Sequence, residues 1–281
     1  MANPEELKQG QKKLWGGAAR DWEALDDWFE NQNEGVTEWL CTHSGIGPGM
    51  KVLDLASGTG QPGLTAAQQV GPSGRVVSTD IAPEMVAAAQ RLSTAKGLTN
   101  VEHREADIEN IPFPDASFDA VTCRFGLMFC PDPVKGASEI ARVLKPGGRF
   151  ALTVWDVPAK NAQFNSFLNA LAEIAPPPPP DPKAPGLFRL AASGELESVL
   201  RAGGFKDLKV EPVPTEWVFR SPENYWEIMT VLAAPLKAAA ANLPPETLTR
   251  LRVAIVEGLR ARHGDGVVRL QATPLGASGR K

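Results

Sequence analysis

Between residues 51 and 155, short apolar runs alternate with segments of helical periodicity. KVLDLA (51–56) is a compact apolar run closed by a glycine cluster, the signature of a buried strand. Residues 62–70 follow as a helix with Pro62 near its first turn. RVVST (75–79) reads as a second strand ending at Asp80. Residues 83–96 place Met85, Ala88, Ala89 and Leu92 at i, i+3, i+4 and i+7, a helical stripe stopped by Gly97. VEHREA (101–106) and FDAVTCR (118–124) predict strands three and four. Asp132-Pro133 opens a helix striped by Val134, Ala137, Ala141 and Leu144. LKPGG (144–148) then turns the chain into RFALTVW (149–155), the fifth strand. Strands that alternate with helices pair in parallel, so the pattern predicts a doubly wound α/β sheet.

The flanks differ. Residues 11–40 hold Trp15, Trp22, Trp28, Phe29 and Trp39, and read as one or two amphipathic helices that need an apolar partner. The proline run 176–180 predicts an extended surface segment. Beyond it the pattern gives a helix over 193–203 capped by Ser193 and a strand over 207–213. A helix capped by Ser221-Pro222 carries Tyr225, Ile228, Met229 and Leu232. Another carries Leu248, Leu251, Ile255 and Leu259 and ends at Gly264. GVVRLQ (266–271) is the last predicted strand, and the tail after Thr273 is expected to be loosely held.

Composition narrows the function classes. Apolar residues make up 43% and charged residues 22% of 281, with a net charge of −4. That is an ordinary globular composition, and a mildly acidic one argues against a broad basic face for nucleic acid. Cys41, Cys123 and Cys130 lack the spacing of a disulfide framework or a zinc site. MANPEELKQGQKK has no apolar core of a secretory leader. The longest apolar stretch, 229–241, is broken by Pro235 and Lys237 and is too short to span a bilayer. The expectation is a cytoplasmic protein without membrane or nucleic-acid partners.

The chemistry concentrates after the first strand. In DLASGTGQPG (54–63), Gly58, Gly60 and Gly63 match G-x-G-x-x-G and let a ligand approach backbone N–H groups closely. Asp80, 20 residues beyond Gly60 at a strand end, can accept hydrogen bonds from a ribose diol. Both features suit NAD or S-adenosylmethionine. Asp54 lies inside the first strand, where a dinucleotide fold wants an apolar residue. Asp107, in EADIENIPFPDASFD, follows the third strand, where a carboxylate can meet an adenine amino group.

Taken together, DLASGTG, STDIAPEM, EADIENIPFPDASFD, FGL and RVLKPGG make residues 52–154 resemble the class I S-adenosylmethionine-dependent methyltransferases. Within them the segment looks most like the ubiquinone/menaquinone-biosynthesis C-methyltransferases. The resemblance implies a Rossmann-like seven-stranded sheet with strand seven antiparallel, a helical N-terminal cap over 1–45 and a core over 46–218 and 265–281. A helical lid insertion would span 219–264. It also implies roles. Asp54, Gly58 and Gly60 would hold the methionine end of S-adenosylmethionine, with Ala56 at the first glycine position of the loop. Asp80 would hold the ribose, Ile81 would pack on adenine, Asp107 would take the adenine amino group with Ile108 beside it, and Arg124 would lie near the methionine moiety. Trp22 stands where relatives often carry a tyrosine that closes the cofactor pocket.

No general base stands out; Tyr225 and His263 are only lid-side candidates. Met128, Phe129 and Cys130 replace the polar segment typical of the quinone enzymes. A small apolar or aromatic methyl acceptor is therefore expected, walled by Trp15, Trp22, Phe125, Met128, Phe129 and Trp226. The competing readings are a nicotinamide-dependent oxidoreductase, from the glycine pattern alone, and a cofactor-binding protein without catalysis.

Overall fold

The computed structural model describes residues 3–176, 181 and 183–281. All but Pro176 of the expected extended segment 176–180 lies outside the described residues. Two helices, α1 (Pro4–Ala24) and α2 (Asp26–His43), open the chain. Asn3 caps α1 by accepting from the Glu5 N–H, while the Glu6 side chain reaches back to the Asn3 N–H. The alternation follows as β1 (Lys51–Leu55), α3 (Gly63–Val70), β2 (Arg75–Asp80), α4 (Pro83–Ala95), β3 (Val101–Glu105), β4 (Phe118–Arg124), α5 (Pro133–Val143) and β5 (Leu144–Trp155). β1 to β5 pair in parallel in the order β3-β2-β1-β4-β5. The order reverses between β1 and β4, so the crevice at their carboxyl ends is where a doubly wound sheet takes its ligand.

After α6 (Ala162–Ile174), α7 (Glu195–Ala202) and β6 (Lys206–Pro212), the chain leaves the sheet. It forms β7 (Thr215–Phe219), α8 (Pro222–Leu232), α9 (Ala234–Ala241), α10 (Pro245–His263) and β8 (Val268–Ala272), and returns as β9 (Pro274–Arg280). β9 lies antiparallel between β5 and β6 and completes seven strands. Here the structure corrects the sequence reading. The strand expected at 266–271 pairs with β7 in a separate two-stranded sheet, and the supposedly loose tail is the seventh strand.

The reason is steric. PLGASGR has no apolar run because bulky neighbours leave no room for one. A Cβ at Gly276 would stand 2.6 Å from Trp39 and 2.7 Å from Val213, and one at Gly279 would stand 2.9 Å from Phe150. Smaller differences are local. α7 starts one turn-residue later than expected, with Gly194 rather than Ser193 at its N-cap. α6, β7 and α9 give no clear sequence signal. No helix among the described residues is long and apolar enough to cross a membrane.

Candidate functional site

The turn from β1 to α3 is built around Asp54. Its register neighbours are Ser78 on β2 and Thr122 on β4. One carboxylate oxygen accepts from Thr122 Oγ1 at 2.8 Å and the other from the Gly63 N–H at 2.8 Å. A Cβ at Gly63 would stand 2.8 Å from Oδ2, so glycine is what lets α3 start this close to the acid. The side chain is wholly buried, and burial pushes its pKa up to about 7 against the two hydrogen bonds. Asp54 and Gly60 therefore shape the loop from behind and do not line the cavity in front of it.

The loop itself presents Ala56, Ser57 and Gly58 to that cavity. Ala56 has φ +51° and Gly58 φ +54°, left-handed backbone that explains a glycine preference at both places. Asp80 closes the loop from β2. Its oxygens accept from the Gly58 N–H at 3.0 Å and the Ala82 N–H at 2.9 Å, and burial raises its pKa to about 6. Each carboxylate oxygen retains a lone pair for a further donor. Thr59 Oγ1 donates to Asp26 Oδ1 at 2.6 Å and ties the loop to α2.

In front of the loop lies a cavity of about 1150 Å³ of atom-free space, its mouth included. One end is polar. Asp80, Ile81, Asp107 and Ile108 line it, joined by Lys8 and Gln11 from α1. Asp107 Oδ1 accepts from the Glu109 N–H at 2.8 Å, and Lys8 Nζ sits 2.7 Å from both Asp107 Oδ2 and Glu109 Oε2. The other end is aromatic, walled by Phe29, Phe125, Trp155, Phe164 and Trp217. Phe125 stacks on Trp155 at 4.1 Å and 10°, and Trp155 meets Phe164 and Trp217 edge-on at 5.0 and 5.9 Å. Phe125 holds its place with φ +60°.

Seven of the nine predicted cofactor residues thus face one cavity: Ala56, Gly58, Asp80, Ile81, Asp107, Ile108 and Arg124. Arg124, at the end of β4, is tied to α2. Its guanidinium makes a bidentate pair with Glu30 of α2, donates to Thr37 Oγ1 at 3.0 Å and lies over the Phe29 ring. Of the expected acceptor walls, Trp15, Trp22, Phe125, Met128 and Phe129 line the cavity. Trp226 does not; it stacks on Phe167 between α6 and α8, facing α10. Trp22 lies over the loop near Gly58, and its indole N–H donates to the Leu232 carbonyl at 2.9 Å.

Tyr225 is buried with its hydroxyl donating to the Gln163 carbonyl at 2.7 Å, and burial pushes its pKa upward. Neither it nor His263 lines the cavity. Cys123 and Cys130 are free and buried, and burial pushes the Cys123 thiol up to about 12. Sequence reasoning missed Lys8, Glu30, Trp155, Phe164 and Trp217. Trp155 ends a predicted strand and was within reach of it. The others come from segments with no motif of their own.

Residues 46–181 match a family model described as a methyltransferase domain. The demethylmenaquinone methyltransferase of Thermus thermophilus is 44% identical over 112 residues, 40% of this chain and 50% of that protein. The ubiquinone/menaquinone biosynthesis C-methyltransferase of Francisella philomiragia is 41% identical over 116 residues, 41% of this chain and 46% of that protein. The alignment thus spans half or less of the length of these curated relatives. A crystal structure of a putative methyltransferase from Bacillus halodurans shares the fold, with a TM-score of 0.57 and 22% identity, covering 87% of this chain and 98% of that one. Residues 46–181, just under half of the chain, are thus similar to methyltransferase domains.

Proposed function

We propose that the protein transfers a methyl group from S-adenosylmethionine to a small apolar or aromatic acceptor. The observation that carries this reading is one continuous cavity with an acidic end at the strand termini and an aromatic end beneath the insertion. The residues fit the cofactor. Asp80 has lone pairs to spare for the ribose hydroxyls, and Asp107 for the adenine amino group, with Ile81 and Ile108 as apolar flanks. Gly58 leaves the backbone open to the methionine end. Gly126 opposite admits no side chain, since a Cβ there would stand 2.5 Å from that of Ala56.

When bound, S-adenosylmethionine supplies a sulfonium methyl group that an acceptor nucleophile takes in line, leaving a neutral thioether. The protein orients the acceptor and excludes water. Phe125, Trp155, Phe164 and Trp217 give the acceptor rigid apolar faces, and holding two reactants in line is worth roughly 7–11 kcal/mol of barrier. Arg124, neutralised by Glu30, offers the acceptor no free charge. The elements from 213 to 273 act in this reading as the acceptor-side lid and α1 as the cofactor-side cap, while α2 lends Phe29 to the acceptor end.

The test is a calorimetric titration with S-adenosylhomocysteine, with NADH as control. Micromolar binding, about −8 kcal/mol, is expected for the first and none for the second. NADH binding without S-adenosylhomocysteine binding would replace this reading with an oxidoreductase. An acceptor screen with labelled methyl donor then follows, and methylation of small, highly charged acceptors alone would overturn the acceptor class.

A further inference from the structure

We infer that residues 4–15 of α1 form a gate over the acidic end of the cavity, hinged at Gly16-Gly17 and latched by Lys8. Lys8 is then a positioning residue for the cofactor. This inference rests on the acidic end being the cofactor's adenine pocket.

The two halves of α1 are held by different forces. Beyond the glycine pair, Ala18 and Ala19 are buried against Ala82, Met85 and Ala234. Before it, no residue of the helix is fully buried. Its contacts with the rest of the protein include Leu14 and Trp15 at its end and two lysines. Lys8 bridges Asp107 and Glu109, and Lys12 pairs with Glu105 at the end of β3. All the acids belong to one strand end and its following loop. Glycine is the weakest helix former after proline, and adjacent glycines are where helices bend. Gly17 has no atom within 4 Å of a Cβ position, so close packing does not require a glycine there. Gly16 does lie close to a neighbour, the carboxylate of Glu84.

The latch is also part of the wall. Lys8, Gln11 and Trp15 line the cavity from this half-helix, so the acidic end is open whenever the half-helix lifts. Closing brings one ammonium between two carboxylates that would otherwise repel each other two residues apart. Opening exposes that pair to solvent and salt. Ion pairs of this kind weaken as ionic strength rises, whereas the apolar anchor beyond Gly17 does not.

The experiment is stopped-flow release of S-adenosylhomocysteine from the full-length protein, followed by tryptophan fluorescence, since Trp15 and Trp22 line the cavity. Lys8→Met is expected to speed release at least tenfold, and Lys8→Arg to restore most of the difference. Raising salt from about 0.05 to about 0.5 M should speed release from the wild type more than from Lys8→Met, which keeps only the Lys12–Glu105 pair. Gly17→Ala should slow both binding and release by stiffening the hinge. An unchanged release rate in Lys8→Met, or no rescue by Lys8→Arg, overturns the gate.

Amide hydrogen exchange of the cofactor-free protein reads the gate without the cofactor. Residues 7–15 should exchange faster than 18–24, and faster still in Lys8→Met. Uniform protection along α1 would also overturn it. If the wild type binds no S-adenosylhomocysteine, the proposed function fails, while the exchange pattern still decides whether the half-helix opens.

Discussion

Asp54 and Asp80 lie on adjacent strands two residues apart in register and do different work. Both are buried beside the glycine loop, Asp54 behind it and Asp80 at the cavity, and burial holds their carboxyls at about 7 and about 6, well above an exposed aspartate. A carboxyl that ionises later in the folded state keeps its proton where the unfolded chain has lost it. Its contribution to stability is therefore complete near pH 4 and declines as pH rises through about 6 for Asp80 and about 7 for Asp54. Asp54→Asn keeps an acceptor for the Gly63 N–H and gives Thr122 Oγ1 a donor instead of an acceptor. Urea unfolding at pH 5 and pH 7.5 should show the variant gaining on the wild type at the higher pH, by on the order of a few kcal/mol at most. An unchanged difference between the two pH values would mean that Asp54 ionises freely. Asp80 faces the cavity, so Asp80→Ala should weaken S-adenosylhomocysteine binding at least tenfold, about 1.4 kcal/mol, by calorimetry. Asp80 and Asp107 could be singled out in the sequence because each ends or follows a predicted strand, where a doubly wound sheet takes its ligand. Lys8 and Glu30 were not, because only the packed helices bring them to Asp107 and Arg124.

At the scale of elements, β9 shows why a strand can be silent in sequence. It carries glycines where neighbours crowd it: Trp39 and Val213 press on Gly276, and Phe150 and Leu208 press on Gly279. Alternating apolar residues announce a strand with one open face, whereas this one is crowded on both. Gly276→Val should therefore cost about 1–3 kcal/mol by thermal or urea unfolding, the usual penalty of overpacking. Gly266→Ala is the control: no atom lies within 4 Å of its Cβ position, and its effect should stay within about 0.5 kcal/mol. Equal effects at the two sites would mean that β9 is not packed as described. The reverse lesson comes from β8. Its alternation of buried and exposed residues is plain in GVVRLQ, but its partner is β7, which the sequence did not mark. Period two announces a strand and is silent on which strand it joins.

Across the whole molecule, the β–α alternation from Lys51 to Trp155 made the parallel half of the sheet legible in the sequence, because parallel strands need crossover connections, helical here everywhere but between β3 and β4. The cavity was only half legible for a related reason. Its acidic end is made by consecutive strand ends, whereas its aromatic end gathers Phe29 from α2, Phe164 from α6 and Trp217 from β7. No local pattern relates residues so far apart in the chain. The same distribution has a thermodynamic consequence. A ligand that fills the cavity touches the N-terminal helices, the sheet and the insertion together, so it should stabilise all three as one unit. At a free concentration one hundred times Kd, S-adenosylhomocysteine should add about 2.7 kcal/mol. Differential scanning calorimetry should show one transition moving up by several degrees, with NADH leaving it in place. A lower transition that stays put while an upper one moves would mean that the insertion unfolds apart from the cofactor site, and that the aromatic end is not held by the elements that hold the acidic one.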